Sequence, residues 1–259
     1  MKDKTFSICP LASGSKGNSI FVSCGNTCFL IDAGLSGIEI QRRLARINVN
    51  PENLSAIIIT HEHSDHIKGA GVLSRRFQLP VYITPQTNTA SKSIGKLSKT
   101  CFFECGHPFE INNISINPFS TSHDASDPVG MTMSYNKRKI GIATDLGIAT
   151  NLVKQSLKNC DLLYIESNHD PEMLIKGPYP WPLKQRIKSR TGHLSNKDAK
   201  ELIAELRNED LQHIILAHLS EENNRPEIAA REVGEALNGS TISLHVAGPS
   251  EPGDFIELV

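Results

Sequence analysis

Three histidines and one aspartate are crowded into six residues of this chain. Residues 60 to 70 read THEHSDHIKGA and follow the apolar run AIII, which is typical of a strand buried on both faces. If the chain leaves this strand extended, His61 and His63 lie on one side and can hold one metal ion together. Asp65 and His66 then project elsewhere, so one loop can serve two adjacent ions. The alternative is a solvated helix start, where an Asp is ordinary.

Further metal-ligating side chains follow other apolar runs of strand length. They are Asp32, His123, Asp145 and His218. Loops gather at the edge of a sheet, where functional residues are usually found. Each of these residues alone is explained as a surface or capping residue, but four of the same kind at strand ends favour a shared site.

Apolar runs and helical spacings predict a layered α/β protein. Strands are predicted at 20–23, 28–31, 56–59, 81–84, 114–119, 130–135, 139–144, 162–165 and 214–217. Helices are predicted at 38–47, 67–77, 148–157, 196–207 and 226–237. Strands predominate early, and helices alternate with strands later, which is typical of sheets flanked by helices.

The composition favours one catalytic domain without a strong overall field. A chain of 259 residues with 39% hydrophobic content can bury a full core. The 27 Lys and Arg residues balance 28 Asp and Glu residues, so attraction to a polyanion requires a local patch. The sequence contains neither a signal-peptide pattern nor an apolar run long enough to span a membrane, and a cytoplasmic location is predicted.

Six cysteines are too few for a disulfide scaffold and are expected to be thiols. The spacings Cys24/Cys28 and Cys101/Cys105 leave a zinc clip open as an alternative. Two residues on one face of a strand or turn explain these spacings equally well.

The order of the metal-ligating residues resembles the motifs of the metallo-β-lactamase fold over nearly the whole chain. The pattern is Asp32, His61-x-His63-x-Asp65-His66, His123, Asp145 and His218. The resemblance implies an αββα sandwich, a layered α/β fold, with a dinuclear metal site at one edge.

The same resemblance implies how the ligands are divided between two divalent ions. One ion would be bound by His61, His63 and His123. The other would be bound by Asp65, His66 and His218. Asp145 would bridge the ions, and Asp32 would orient a ligand loop by hydrogen bonds. Asp65 is also predicted to be catalytic. Mixed imidazole and carboxylate ligands suit Zn²⁺ or Mn²⁺, and Fe is possible.

A second set of residues lies near the last ligands. LYIESNHD places Glu166 at a strand end, and TGHLSNKDAKELIAEL places His193 before a helix capped by Ser195 or Asn196. The order of Glu166, His193 and His218 is similar to that in ribonuclease Z and, more loosely, in β-CASP nucleases. This resemblance implies a general acid, His193, oriented by Glu166. A helix-capping loop and a surface ion pair are the alternative.

Several loops narrow the resemblance further. SGSKGNS, ESNHD, GHLSN and AHLSEENN are most similar to loops of the YycJ (WalJ) subgroup, which is associated with 5′→3′ exonuclease action on DNA. About 73 residues separate Asp145 from His218, which leaves no room for a β-CASP insertion. Residues 1–259 are therefore predicted to form a single domain. The SGSKGNS loop at 13–19 is favoured as a turn over a substrate loop.

A basic stretch precedes His193. KGPYPWPLKQRIKSR, at 176–190, carries five positive residues and no acid. The candidate substrate-binding residues in it are Lys184, Arg186, Lys188, Arg190 and Trp181. The four cations alternate, so an extended chain or a broad helix face would present them together. Such residues supply phosphate contacts and, with Tyr179, a surface for base stacking. The alternative is a solvated basic loop with Trp181 in the core.

These predictions together favour hydrolysis of a nucleic-acid phosphodiester, with DNA as the expected substrate. A hydroxide bridging the two ions would attack phosphorus, and His193 would protonate the departing oxygen. The runner-up is a hydrolase of a small thioester, lactone or cyclic phosphodiester. A binding protein with an idle site is a third possibility, which the complete ligand set disfavours. The sequence predicts no membrane association and identifies no protein partner.

Overall fold

Strands dominate the computed structural model, which describes residues 5–258. They are β1 (Phe6–Ala12), β2 (Ser19–Cys24), β3 (Thr27–Ile31), β4 (Ala56–Ile58), β5 (Pro80–Ile83), β6 (Lys99–Phe102), β7 (Phe109–Ile111), β8 (Ile114–Ser120), β9 (Val129–Tyr135), β10 (Arg138–Ala143), β11 (Leu162–Glu166), β12 (His213–Ala217), β13 (Ser243–Val246) and β14 (Ile256–Leu258).

The helices are short. They are α1 (Gly37–Arg46), α2 (Ser64–Ile67), α3 (Ala70–Phe77), α4 (Pro85–Ala90), α5 (Asn151–Leu157), α6 (Pro171–Lys176), α7 (Trp181–Ile187), α8 (Asn196–Leu206) and α9 (Pro226–Gly234). Single 3₁₀ turns are present at Pro51–Asn53 and Glu235–Leu237. Within residues 5–258, none of the helices has the length and apolar character needed to cross a membrane.

The strands form two sheets of seven, each with a run of parallel neighbours. The order is β14-β1-β2-β3-β4-β5-β6 in the first sheet and β13-β12-β11-β10-β9-β8-β7 in the second. Strands β3 to β6 run parallel to one another, and so do β10 to β13. Because parallel strands end at the same edge, the residues after β3 and β4, and those after β10, β11 and β12, are brought together.

A core between the sheets and helices on both outer faces produce four layers. Phe29 and Ile31 of β3 pack in the inner core with Met131 and Tyr164 of the second sheet. Leu30, which points to the opposite face, packs in a second core with residues of α1 and α3. Residues of α5, α8 and α9 cover the outer face of the second sheet. This layering confirms the predicted αββα sandwich.

The predicted helix at 67–77 is wrong in one respect, because the structure divides this region into α2 and α3. At Gly69 an added Cβ would lie 2.4 Å from the carbonyl oxygen of Leu35. The Gly69 amide also donates a 2.7 Å hydrogen bond to the carbonyl of Ala33. The loop after β3 therefore approaches so closely that it interrupts the helix and holds α2 beside it.

Other predicted elements are present with small shifts. Ser195 caps α8 and forms a capping box with Asp198, which decides between the two predicted caps. Helix α5 begins at Asn151 because Thr150 caps it. The elements that lie outside the predicted ones are the interior strand β1, the edge strands β6, β7, β13 and β14, and the short helices α4, α6 and α7. In β1, Pro10 coincides with a register shift against β2, which weakens the strand signal.

Between Asp145 and His218 the chain forms α5, β11, α6, α7, α8 and β12, with no additional sheet. The cysteines at 9, 24, 28, 101, 105 and 160 are thiols, as predicted. Within residues 5–258 no cysteine belongs to a cluster able to hold a metal ion, which argues against the zinc clip.

Candidate metal centre

Two groups of metal-ligating side chains meet at the edge where β4, β8, β10 and β12 end. One group is His61, His63 and His123, and the other is Asp65, His66 and His218. Asp145 belongs to clusters with members of both groups. Within each cluster, the candidate ligand atoms all lie within 4.8 Å of one another. The structure thus brings together all seven residues predicted to bind metal.

Three residues near strand ends, two acidic and one histidine, have an uncommon backbone conformation. Asp32, Asp145 and His218 have φ angles of 59°, 57° and 55°. Asp32 and His218 come directly after the parallel strands β3 and β12, and Asp145 comes one residue later after β10, where the left-handed conformation turns the chain sharply. Such conformations cost free energy in residues other than glycine, and they often occur at functional sites.

In the three-histidine group, the rings of His61 and His123 each contact a neighbouring oxygen through Nδ1. Their Nε2 atoms therefore face the centre. The Nδ1 atom of His123 lies 3.1 Å from the carbonyl of Gly192, and its Nε2 lies 3.3 Å from Nδ1 of His63. The Nδ1 atom of His61 lies 3.0 Å from Oγ1 of Thr60. The Nε2 atom of His61 is buried without a hydrogen-bond partner. Such outer partners fix the ring orientation of metal-binding histidines.

The second group is oriented by two buried carboxylates. Nδ1 of His66 lies 2.7 Å from Oδ2 of Asp32, and Nδ1 of His218 lies 3.0 Å from Oε1 of Glu166. The Nε2 atoms of these histidines therefore face Oδ2 of Asp65, at 3.6 and 3.7 Å. Both rings present a nitrogen, rather than a carbon edge, to the same carboxylate.

Asp145 lies between the two groups. Its Oδ1 atom is 3.9 Å from Nε2 of His123 and 3.5 Å from Nε2 of His218. Its Oδ2 atom is 3.5 Å from Nε2 of His66. One buried carboxylate is therefore in reach of ligands from both groups, which is the position a bridging ligand requires.

The separations and the unsatisfied atoms fit divalent cations. Two ligand atoms about 2.1 Å from a tetrahedral Zn²⁺ lie about 3.4 Å apart, close to the spacings around Asp145. Oδ2 of Asp145 and the Nε2 atoms of His61 and His218 are buried without hydrogen-bond partners. Buried polar atoms without partners cost free energy, and cations bound in the two ligand groups would satisfy all three. The centre can bind metal with the residues present.

Electrostatics divide the centre in the same way. Burial lowers the pKa of His66, but the carboxylates of Asp32 and Asp145 outweigh burial and raise that pKa to about 9. Burial, followed by the neighbouring imidazoles of His66 and His123, holds the pKa of His61 well below its usual range. The carboxylate-rich side therefore attracts positive charge. The His61 imidazole stays neutral and can offer a nitrogen lone pair to a metal ion.

Asp32 connects the loop after β3 to the ligand loop. Its Oδ1 accepts a 2.9 Å hydrogen bond from the amide of Thr60, and its Oδ2 accepts a 2.8 Å bond from the Thr60 hydroxyl. Oδ2 also contacts His66, as described above. The structure thus places Asp32 where the orienting role was predicted. Thr60, which joins Asp32 to His61, was missed because a lone Thr carries no metal-binding signal.

Asn18 is a second residue that the sequence analysis missed. Its Oδ1 accepts a hydrogen bond from the amide of Gly14, which turns Nδ2 towards the centre. Nδ2 lies 3.0 Å from Nε2 of His66 and 3.3 Å from Oδ2 of Asp65. The 13–19 loop is therefore a turn, as favoured, but its last part also contacts two candidate ligands. The glycines and serines of this loop were the sequence feature that could have indicated its contact with the centre.

Gly34 is expected to be essential to this arrangement. An added Cβ would lie 1.6 Å from the carbonyl oxygen of Asp65 and 2.6 Å from the amide nitrogen of Asn18. Both contacts are backbone atoms, so one segment must move. We expect Gly34→Ala to lower the free energy of unfolding by about 1–3 kcal/mol. Metal affinity should fall about 10–100-fold.

Thermal unfolding and metal titration of the purified variant check this prediction. Gly234→Ala is the matched control, because its Cβ would meet nothing within 4 Å. That control should be as stable as the wild type or more so, since alanine is favoured over glycine in a helix. Unchanged metal affinity in Gly34→Ala would contradict the prediction.

His193 and Glu166 form a close pair beside the centre. Nδ1 of His193 lies 2.6 Å from Oε1 of Glu166, and 3.9 Å from Oδ1 of Asp145. Glu166 is fully buried, and its Oε2 accepts hydrogen bonds from the amides of Leu146 and Leu194. Burial raises the pKa of Glu166, but His193 and His218 outweigh burial and hold it below its usual range.

Glu166 therefore contacts two imidazoles, whereas the sequence analysis assigned it only one. His193 is the more accessible of the two, with 19% of its side chain exposed. The surface ion pair considered as an alternative is inconsistent with the complete burial of Glu166. Asn168, also missed, donates a 2.8 Å hydrogen bond to the carbonyl of His218 and supports the same loop.

The basic stretch forms α7 and its flanks rather than one continuous charged face. Lys184 is buried, and its Nζ donates to the carbonyls of Ile175 and Gly177 at 2.6 and 2.7 Å. Arg186 donates from Nε to Oδ2 of Asp124 at 2.6 Å. Lys184 thus contributes to the fold. Its ammonium group is buried and does not share an exposed surface with the other positive side chains of the stretch.

The remaining members of the stretch are exposed. Trp181 is 61% exposed, so the alternative of a Trp in the core is wrong. Lys188 and Arg190 are exposed after the end of α7. The Arg190 carbonyl accepts a hydrogen bond from the hydroxyl of Ser122, which ties this segment to the loop carrying His123.

The model of the beta-lactamase superfamily domain matches residues 27–218, most of the chain. The chain belongs to the metallo-β-lactamase superfamily. Membership confirms the predicted fold class and the predicted assignment to the hydrolases.

Other members of the metallo-β-lactamase superfamily are similar over most of this chain. Exodeoxyribonuclease YycJ of Bacillus anthracis is 38% identical over 251 residues, covering 93% of this chain and 95% of the relative. Exodeoxyribonuclease WalJ of Streptococcus pneumoniae (strain D39) is 42% identical over 234 residues, covering 88% and 87%. These relatives confirm the predicted resemblance to the YycJ/WalJ subgroup.

A solved structure supports the fold independently. The metallo-β-lactamase fold protein YhfI of Bacillus subtilis superposes with a TM-score of 0.75 and is 18% identical. The match covers 98% of this chain and 100% of YhfI. At this identity the likeness shows the superfamily fold alone.

Proposed function

We propose that this protein is a dinuclear metal-dependent nuclease that removes nucleotides from the end of a DNA strand. The observation that carries the proposal is the 2.6 Å contact between His193 and Glu166 beside two ligand groups. This contact offers a positioned proton donor next to a cation-binding centre, and the two together accelerate hydrolysis of a phosphodiester whose leaving group is an alkoxide. The names of the YycJ and WalJ relatives support DNA and exonuclease action.

In this proposal the ions are divided as the side chains are grouped. His61, His63 and His123 would hold one ion, and Asp65, His66 and His218 would hold the other. Asp145, which lies within reach of both groups, would be shared between the ions. Zn²⁺ and Mn²⁺ suit these donors, and Fe is compatible with them. When bound, the ions supply Lewis acidity that activates water and neutralises charge on the phosphoryl oxygens.

The role proposed for His193 is protonation of the departing oxygen. Because Glu166 accepts the Nδ1 hydrogen, Nε2 of the imidazolium is directed away from that carboxylate and can donate its proton. The P–O bond to the departing oxygen breaks as water contributes its oxygen to phosphorus. The attacking water releases one proton to solvent, and His193 gives one proton to the leaving oxygen and takes one back from solvent, so the proton balance closes.

Lys188, Arg190 and Trp181 are the proposed contacts to the DNA strand. Their exposure and their position on the segment that leads to His193 support this role. We expect Lys188→Ala with Arg190→Ala to weaken DNA binding and to reduce the slope of log affinity against log salt by about one per lost contact. Metal content should stay unchanged.

Binding titrations at several salt concentrations measure this slope. Lys92→Ala with Lys96→Ala removes the same charge from another exposed segment and serves as the control. Lys184→Ala is expected to behave differently, by lowering stability because two carbonyls lose their donor. Equal slopes for the wild type and the 188/190 variant would contradict the proposed contacts.

One assay tests the function as a whole. The purified protein, loaded with Mn²⁺ or Zn²⁺, is incubated with end-labelled DNA, RNA, bis-p-nitrophenyl phosphate, and a panel of lactones and thioesters. The proposal expects stepwise shortening of DNA that stops when metal is chelated. Activity confined to carbonyl substrates would support the small-substrate alternative and reject the nuclease.

A further inference from the structure

A pocket lies beside His193, and His193 and Asn168 form part of its lining. Its volume is about 180 Å³, less than the roughly 300–1,000 Å³ common for sites that enclose a small molecule, so a ligand bound here keeps part of its surface in solvent. None of the proposed metal ligands lines this pocket, so it is a neighbour of the centre rather than part of it.

The walls of the pocket differ in character. Tyr179, Leu183 and Ile187 supply aromatic and aliphatic surface from α7 and the segment before it. Arg186 lies on the same helix and also lines the pocket. Aromatic rings stack on bases, and guanidinium groups bind phosphate through several donors. An apolar wall next to one arginine matches a base next to a phosphate.

Arg186 is held in place for such a contact. Its Nε donates to Oδ2 of Asp124 at 2.6 Å, which fixes the plane of the guanidinium. Among the described residues, the Arg186 side chain forms hydrogen bonds and ion pairs with Asp124 alone. The two terminal nitrogens are thus available to a ligand. Because the charge of Asp124 is paired, it does not oppose an anion there.

We propose that this pocket binds the nucleotide released from the strand end, with its base against Tyr179 and its phosphate at Arg186. The inference rests on the proposed function, because His193 both protonates the departing oxygen and lines the pocket. When cleavage leaves the departing oxygen on the terminal nucleotide, that nucleotide occupies the space next to His193.

Calorimetric titration of the Mn²⁺-loaded protein with 5′-TMP and 3′-TMP tests this assignment. At least one of these nucleotides should bind, and thymidine and inorganic phosphate should each bind more weakly. Tyr179→Ala and Arg186→Ala should each raise the dissociation constant about tenfold or more. Lys176→Ala removes a nearby positive charge outside the pocket and should change it less than twofold.

Metal content separates a pocket effect from damage to the centre. Tyr179→Ala should retain the metal content of the wild type. If only Arg186→Ala weakens nucleotide binding, and it also loses metal, then Arg186 acts through Asp124 and His123 and the assignment is overturned. Nucleotide affinities that are unchanged in both variants overturn it as well.

The two proposals fail in different ways. Nucleotide binding is measured without turnover, so a protein that binds TMP through Tyr179 and Arg186 but cleaves no DNA would reject the nuclease and keep the pocket. A protein that shortens DNA but binds neither nucleotide would keep the nuclease and reject the pocket.

Discussion

Replacing Asp145 with alanine is expected to leave at most one metal ion per chain and to reduce phosphodiester hydrolysis by about 10³-fold or more. The Asp145 carboxylate lies within 3.9 Å of nitrogens from both ligand groups. Without it, neither cation has its shared anionic partner. Metal ions supply several kcal/mol of charge stabilisation in such reactions, and each 1.36 kcal/mol is tenfold in rate. Elemental analysis and initial rates measure both effects.

Two comparisons separate this effect from loss of the fold. Asp145→Asn keeps the shape and suits the left-handed backbone, so it tests the charge alone. Asp161→Ala removes another buried carboxylate, one that binds Arg138 and the amide of Lys139 instead of the centre. That control should be less stable but should keep its metal. Two bound ions and more than a tenth of wild-type activity in Asp145→Ala would contradict the bridging role.

Replacing His193 with alanine is expected to slow cleavage of DNA by about 10²–10⁴-fold, the usual contribution of a general acid. An alkoxide leaving from DNA needs a proton, and His193 is the proposed donor. Nitrophenolate is stable as an anion near neutral pH, so hydrolysis of bis-p-nitrophenyl phosphate should fall only a few-fold. The ratio of the two rates is the measurement.

The dependence on the leaving group distinguishes a proton donor from a structural residue. His107→Ala serves as the control, because the His107 side chain is 76% exposed and pairs only with Glu104 within the described chain. It should leave both rates unchanged. If His193→Ala lowers both rates equally, His193 supports the centre and another group protonates the leaving oxygen.

Much of the centre was predictable because metal binding requires particular residue types. Imidazole and carboxylate side chains are conspicuous when they follow buried strands, as His61 follows β4 and Asp145 follows β10. The strands themselves were predictable from their apolar runs, since burial on both faces leaves no polar alternation. The interrupted helix after His66 was not, because the break at Gly69 depends on a loop that lies more than thirty residues earlier.

The basic stretch illustrates the opposite case. Its alternating charges predicted that the four positive side chains share one exposed face. The sequence does not show which of these side chains bonds to another part of the chain. Lys184 bonds two carbonyls that the turn between α6 and α7 brings within reach. Arg186 bonds Asp124, whose place in the numbering is 62 residues away. Only the tertiary structure decides which positive side chain bonds to another part of the chain and which is exposed to solvent.

By itself, the sequence determined the layered fold, the seven candidate ligands and the pairing of Glu166 with His193. These follow from residue types, apolar runs and a resemblance that residue order reveals. The tertiary structure alone decided that Glu166 also orients His218, that Asn18 and Thr60 contact the ligands, and that a pocket adjoins His193. The physical reason is that a local pattern reflects burial and backbone preference. Contacts between distant segments depend on how the two sheets pack.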